Sequence, residues 1–202
     1  MNQPTPPPAC ARLHRTLAPL ALVLALPAAA FAWEVRSTDN SSTNPGAYGM
    51  NYVVEQINRG NGNSEINLVF DDAQPYYLDC TAVVTSRFAY LRTQSGDVVF
   101  RYGTLTFDKG ANLTDCTFSG YRVICRDKVG TVDGCAFWAG ELNLNNDYTI
   151  QNSSFSNTAL YLGNGNVIAE SVQWHGDNSP MVIHSNNVIR AGRGLDLCAY
   201  GS

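Results

Sequence analysis

Residues 149–166, TIQNSSFSNTALYLGNGN, hold three short apolar patches in eighteen residues: Ile150, Phe155, and the pair Leu160 and Leu162. Asn, Ser and Gly fill the intervals. No patch has the length or period of a helix, and a single straight strand would not be interrupted so often. The stretch is one row of a repeat. It aligns with NLTDCTFSGYRVICRDKVG (112–130), TVDGCAFWAGELNLNNDY (131–148) and VIAESVQWHGDNSPMVIHSNN (167–187). One apolar column reads Leu113, Val132, Ile150, Ile168. A second reads Phe100, Phe118, Phe137, Phe155, Trp174. A third, double column reads Leu105/Phe107, Val123/Cys125, Leu142/Leu144, Leu160/Leu162 and Met181/Ile183. Self-similarity at this period marks a solenoid.

The spacings within a row say how it folds. Eighteen residues at about 3.3 Å each cannot run straight inside a small domain, so each row turns. Apolar residues spaced by two, such as Leu142 and Leu144, share one face of a strand. Between the first and second columns stands Asp115, Gly134 or Asn152, residue types that tolerate a left-handed backbone. Each row is therefore a coil of short strands and tight corners. Coils stack about 4.8 Å apart, and each pairs its backbone with the coils above and below.

The I-x-N-x-x-F unit at Ile150, Asn152 and Phe155, its degenerate copies, and the L-x-L strands that follow resemble the right-handed parallel β-helix of the pectin-lyase-like superfamily. The resemblance spans roughly residues 66 to 197. It implies an all-β fold, a right-handed parallel β-helix solenoid. It also implies a corner ladder of Asn, of which only Asn152 is present here, with Asp115 and Gly134 as relatives. Residues 76–97 are less regular and are read as two imperfect coils.

Upstream, NPGAYGMNYVVEQINRGNGNSEINLVF (44–70) places Met50, Val53, Val54 and Ile57 on one helical face. RGNGN stops that helix and INLVF reads as a strand. A short capping helix is expected to close the open end of the tube. Further upstream, Arg12, His14 and Arg15 precede the apolar run LAPLALVLALPAAAFA, and Ala30-Phe31-Ala32 fits a small-x-small cleavage site. The expected organisation is a secretory signal peptide over 1–32, a cap segment over 33–65 and β-helix coils over 66–202. The run is short for a bilayer span and holds Pro19 and Pro27, so no membrane span is expected in the mature chain. At the other end, Leu195 and Leu197 offer a last strand with no capping helix after it. The expectation is a chain incomplete at its C-terminus, or a partner that covers the last coil.

Composition agrees with export. Without Arg12 and Arg15, eleven basic residues face seventeen acidic ones, a net charge of −6. No basic run or stripe is present, which argues against nucleic acid as a partner. Cys80, Cys116, Cys125, Cys135 and Cys198 remain after Cys10 leaves, with neither a CxxC pair nor zinc spacing. Cys116 and Cys135 occupy one column of adjacent coils, within disulfide range. They are read either as a bridge or as two stacked small residues, since Ser153 and Ser171 follow them. Cys125 replaces a Leu-type core residue.

The outward row of the L-x-L strand is Thr106, Ile124, Asn143, Tyr161, Val182, and it holds no acid. The loop after it carries Arg126, Asp127, Asp147 and His184. Asp127 and Asp147 lie on consecutive coils and could share a cation, though calcium prefers six to eight oxygens. Candidate ligand-binding residues are therefore Asn143, Tyr161, Arg126, Asp127, Asp147 and His184, against the plainer reading of a solvated loop edge. No catalytic set, metal site or cofactor is assigned. The expected function is a secreted or cell-surface bacterial β-helix, adhesin-like or passenger-like, that contacts extracellular polysaccharide without catalysis. The alternative is a polysaccharide lyase or glycoside hydrolase, truncated before its acids.

Overall fold

The computed structural model describes residues 31–72, 74–163, 166–170, 172–175, 181–183, 188–191 and 196–198. The expected signal peptide therefore lies almost wholly outside the described residues. Strand β1 (Trp33–Val35) and helix α1 (Met50–Asn58) come first. Strands then follow in threes: β2 (Glu65–Val69), β3 (Tyr76–Leu78) and β4 (Thr81–Val84), then β5 (Ala89–Ser95), β6 (Val98–Arg101) and β7 (Thr104–Phe107). The next coils are β8 (Ala111–Thr114), β9 (Thr117–Ser119) and β10 (Arg122–Cys125), and β11 (Gly130–Asp133), β12 (Ala136–Trp138) and β13 (Glu141–Leu144). After β14 (Tyr148–Gln151), β15 (Ser154–Ser156) and β16 (Ala159–Leu162) come β17 (Asn166–Glu170), β18 (Gln173–His175), β19 (Met181–Ile183), β20 (Val188–Ala191) and β21 (Asp196–Cys198).

Every strand pairs only with its counterpart one coil away, always in parallel. Three sheets result. The first runs β1-β2-β5-β8-β11-β14-β17-β20, the second β3-β6-β9-β12-β15-β18-β21, and the third β4-β7-β10-β13-β16-β19. The protein is a parallel β-solenoid, with one short helix among the described residues.

The corners are where the sequence places tolerant residues. Asp115, Gly134 and Asn152 all have positive φ, between 50° and 63°. A second left-handed corner, between the second and third sheets, recurs at Tyr102, Gly120, Ala139 and Asn157. Its residue types are too mixed to reveal it in the repeat.

Two columns match the sequence reading throughout. Leu105/Phe107, Val123/Cys125, Leu142/Leu144, Leu160/Leu162 and Met181/Ile183 stand in register along the third sheet. Phe100, Phe118, Phe137 and Phe155 are fully buried and stack ring on ring, with centroids 5.1, 4.8 and 5.0 Å apart. The coil spacing of about 4.8 Å coincides with a favourable stacking separation, so one geometry serves backbone and core together. Residues 76–97 continue both columns as parts of two coils: Leu78 pairs with Phe100, and Ala82 and Val84 with Leu105 and Phe107.

The first column needs a correction. Ala169, not Ile168, pairs with Ile150, while Ile168 pairs with Thr149 and is exposed. The connection from Leu162 to Val167 is one residue longer than that from Leu144 to Tyr148. A one-residue shift turns every side chain of a strand to the other face. The corrected column runs Ile66, Leu91, Leu113, Val132, Ile150, Ala169. The same shift puts Val172, not Ser171, after Ser153 in the cysteine column.

The cap is as expected. Met50, Val53, Val54 and Ile57 are the buried face of α1. The helix packs on β4, the end strand of the third sheet, and beside β1. It covers an edge that would otherwise expose core and unpaired strand.

Two buried tyrosines fasten coils that are not neighbours. Tyr121 donates its hydroxyl to the Cys80 carbonyl at 2.6 Å, two coils up. The intervening residue is Gly103, where a Cβ would lie 1.9 Å from that same oxygen. Tyr148 accepts the Ala111 amide at 3.1 Å across Gly130, where a Cβ would lie 2.6 Å from the ring.

Chemical denaturation tests this core. Phe137→Ala is expected to cost about 3–5 kcal/mol by emptying the middle of the ring stack. Gly103→Ala is expected to cost ~1–3 kcal/mol by overpacking. Trp138→Ala, one residue from Phe137 but exposed, should change little; equal losses for Phe137 and Trp138 would refute the register.

Candidate functional site

The alternation that buries the columns also fixes what faces water. On the third sheet the row Thr106, Ile124, Asn143, Tyr161, Val182 is in register, as the sequence indicates, with Thr106 itself buried. Asn143 and Tyr161 are thus neighbours on adjacent coils, both half-buried. Beside them Arg122 and Glu141 form an ion pair of 2.9 Å, and Asn143 donates its amide to the same Glu141 carboxylate. These side chains make a hydrogen-bonding surface rather than a reactive one.

In the following loop, Arg126 pairs with Asp108 and Lys109 with Asp127, each at 2.9 Å. Asp127 has positive φ and its carbonyl accepts the Asn146 side chain at 2.8 Å. Asn146, rather than Asp147, is therefore set against Asp127. The loop between Cys125 and Gly130 is one residue longer than that between Leu144 and Tyr148, and this displaces the two acids along the chain. The Asp127 carboxylate is paired with Lys109. Among the described residues no three His, Cys, Asp or Glu side chains are grouped to hold a metal ion. His184 lies outside the described residues.

The second sheet presents an outward group that the repeat reading passed over. Residues following the buried Phe column point outward: Arg101, Ser119, Trp138, Ser156. Arg101 is held by Asp79 through Nε–Oδ1 and Nη2–Oδ2 contacts of 3.1 and 3.0 Å. Its guanidinium lies 4.4 Å from the ring centroid of Tyr77 and 5.2 Å from that of Tyr102. Tyr77, Tyr102 and Trp138 are 45%, 72% and 47% exposed. The signal was present, since one residue past each buried Phe must face out. It carries no apolar column to mark it, since Arg101, Ser119, Trp138 and Ser156 share no residue type.

The first sheet carries a shallow cleft of about 350 Å³ beside Glu65, Tyr90, Arg92 and Asn112. Arg92 there is tied to Glu65 at 2.9 Å and donates to Asn67 Oδ1 at 2.7 Å.

The cysteines belong to the interior. Cys116 and Cys135 are buried, stacked in one column, and present as thiols rather than as a bridge. Each reaches the carbonyl two residues before it, Thr114 at 3.2 Å and Asp133 at 3.4 Å. Ser153 does the same to Gln151 at 2.8 Å. The hydrogen bond to Cys116, with desolvation second, pushes the Cys135 thiol well up. Burial pushes Cys125 up to about 12, and Cys80 is also raised by burial. Tyr121 and Tyr148 are raised for the same reason.

No helix among the described residues is long and apolar enough to cross a membrane. Comparison with family models, curated proteins and solved structures finds no match for this chain.

The buried thiols and phenols predict alkaline sensitivity. Each keeps its proton in the folded state to higher pH than when unfolded. Stability is therefore full below the ordinary thiol value of 9.0 and falls as pH rises through it and through the phenol value of 10.0. Each group adds up to about 1.4 kcal/mol per pH unit to that fall. Denaturation midpoints across this range should drop, with a shallower slope in Tyr148→Phe. A flat profile would contradict the burial of these groups.

Proposed function

We propose that this chain is an exported bacterial β-solenoid of the secreted or cell-surface kind, adhesin-like or passenger-like. It holds an extracellular polysaccharide against its flat faces without breaking bonds. Kinship with the pectin-lyase-like superfamily is part of the proposal, supported by the I-x-N-x-x-F unit and the three stacked parallel sheets. One observation carries the functional reading. The outward side chains form rigid rows at coil spacing, aromatic and amide groups stand exposed on them, and the neighbouring charges are neutralised in pairs. Arg101, Lys109, Arg122 and Arg126 each meet a carboxylate. Such a surface offers ring faces and hydrogen bonds to a repeating ligand, and a repeating scaffold matches a repeating polymer. Export is supported by the charged, apolar and small-x-small succession that ends at Ala32.

The test is affinity electrophoresis of the full chain in gels containing neutral or acidic polysaccharides. It is paired with incubation on pectate, alginate and a glycosaminoglycan, with and without calcium. Retardation without release of unsaturated ends is the expected result. Turnover that disappears in Asp127→Ala or Asp147→Ala would overturn the non-catalytic reading in favour of a lyase.

A further inference from the structure

The corner between the second and third sheets holds a notch of about 260 Å³, floored by Gly103, Gly120 and Gly140. That is the volume of roughly nine liquid waters, the scale of one sugar ring. Arg122 and Glu141, joined as an ion pair, form its wall on the third sheet. On the second-sheet side, Tyr102 stands one coil above Gly120, and Trp138 precedes the lining residue Ala139 one coil below. The Tyr102 ring is 3.8 Å from where a Cβ on Gly120 would stand, and the Gly120 amide donates to the Trp138 carbonyl at 2.7 Å. Two coil steps, roughly 10 Å, separate the levels of the two aromatic residues.

The backbone at Tyr102 supplies an independent observation. Its φ is 55°, in a corner row otherwise occupied by Gly120, Ala139 and Asn157. Gly and Asn adopt that conformation at little cost, and a bulky aromatic does not. A strained aromatic kept 72% exposed gains nothing from burial. Strain held at an exposed aromatic, where a glycine would serve the corner, points to a use for the ring. The ring is also held in place, since the Asp79-anchored Arg101 guanidinium lies between Tyr102 and Tyr77. An ordered ring loses little freedom when a ligand stacks on it.

We propose that this notch is the binding site for a neutral polysaccharide, with Tyr102 and Trp138 stacking on the sugar faces and Arg122 and Glu141 hydrogen-bonding its hydroxyls. The assignment rests on the polysaccharide-binding function proposed above and gives it a place and a ligand class. Charge decides for a neutral polymer. Both arginines near the notch are already matched by carboxylates, and the chain as a whole carries −4, so a polyanion would meet repulsion and no free cation.

The experiment is calorimetry on the full chain with cellohexaose, xylohexaose and mannohexaose, and with an oligogalacturonate as the acidic probe. Binding of at least one neutral hexaose, insensitive to salt and stronger than the acidic probe, is expected. Trp138→Ala and Tyr102→Gly should each weaken it by about tenfold or more. Tyr102→Gly should also leave the thermal midpoint unchanged or raise it, because strain is relieved; a merely structural tyrosine would lower it. Tyr90→Ala, on the first sheet, should bind as wild type. Binding that survives both notch variants but is lost in Tyr161→Ala or Tyr90→Ala overturns this site and leaves the proposed function standing. A preference for the acidic probe overturns the neutral ligand class. Failure of every neutral and acidic polysaccharide to bind overturns both proposals.

Discussion

Parallel backbone pairing between consecutive coils is the constraint on which everything else depends. It sets one spacing along the axis and leaves no freedom in register. Once Val132 is opposite Ile150, Phe137 must lie on Phe155 and Leu142 on Leu160. Core packing is thus the repeated stacking of like on like, and the ring ladder of Phe100, Phe118, Phe137 and Phe155 is its densest part. Stability in such an array comes from neighbour-to-neighbour contacts, so each coil must fit both its neighbours. The tyrosine–glycine pairs reach further. Tyr121 and Tyr148 skip a coil and hydrogen-bond the one beyond, which couples three levels at two corners.

The same register dictates the surface. A residue adjacent to a core column points away from the core, even where, as at Thr106 and Asn67, it is covered, and its neighbours along the axis are fixed by the coils above and below. Binding groups can therefore be set in rows without any loop to position them. The cost falls at the corners, where the backbone must turn left-handed. Gly120 and Asn157 meet that demand cheaply, whereas Tyr102 does not. Conformational strain is tolerated there because the surrounding pairing over-determines the chain.

Much of the fold was legible in the sequence because column residues are few in kind and regular in spacing. The Phe and L-x-L columns, the Asp115–Gly134–Asn152 corner and the buried face of α1 all emerged from apolar periodicity alone. Ile168 misled because it looks like a better core residue than Ala169. Only the length of the preceding connection decides between them, and sequence similarity pulls toward the larger side chain. The surface was read less well. Asn143 and Tyr161 stand side by side as the row indicates, whereas a one-residue difference in loop length offsets Asp127 and Asp147 along the chain in a way that no column shows. Tyr77, Arg101, Tyr102 and Trp138 come from different coils with no shared residue type, so no column marks them. They become a group only when the register is known and the outward direction is followed.

That register can be measured at the point where sequence and structure disagree. In the structure Thr149 and Ile168 are outward neighbours, and Ala169 lies under the first sheet with Ile150. Paired cysteines at Thr149 and Ile168 should cross-link rapidly under mild oxidation, since adjacent parallel strands bring their Cα atoms within disulfide range. Cysteines at Thr149 and Ala169 should not, because their side chains point to opposite faces. Cross-linking of the second pair in preference to the first would contradict the register, and with it the assignment of every inward and outward side chain beyond Leu162.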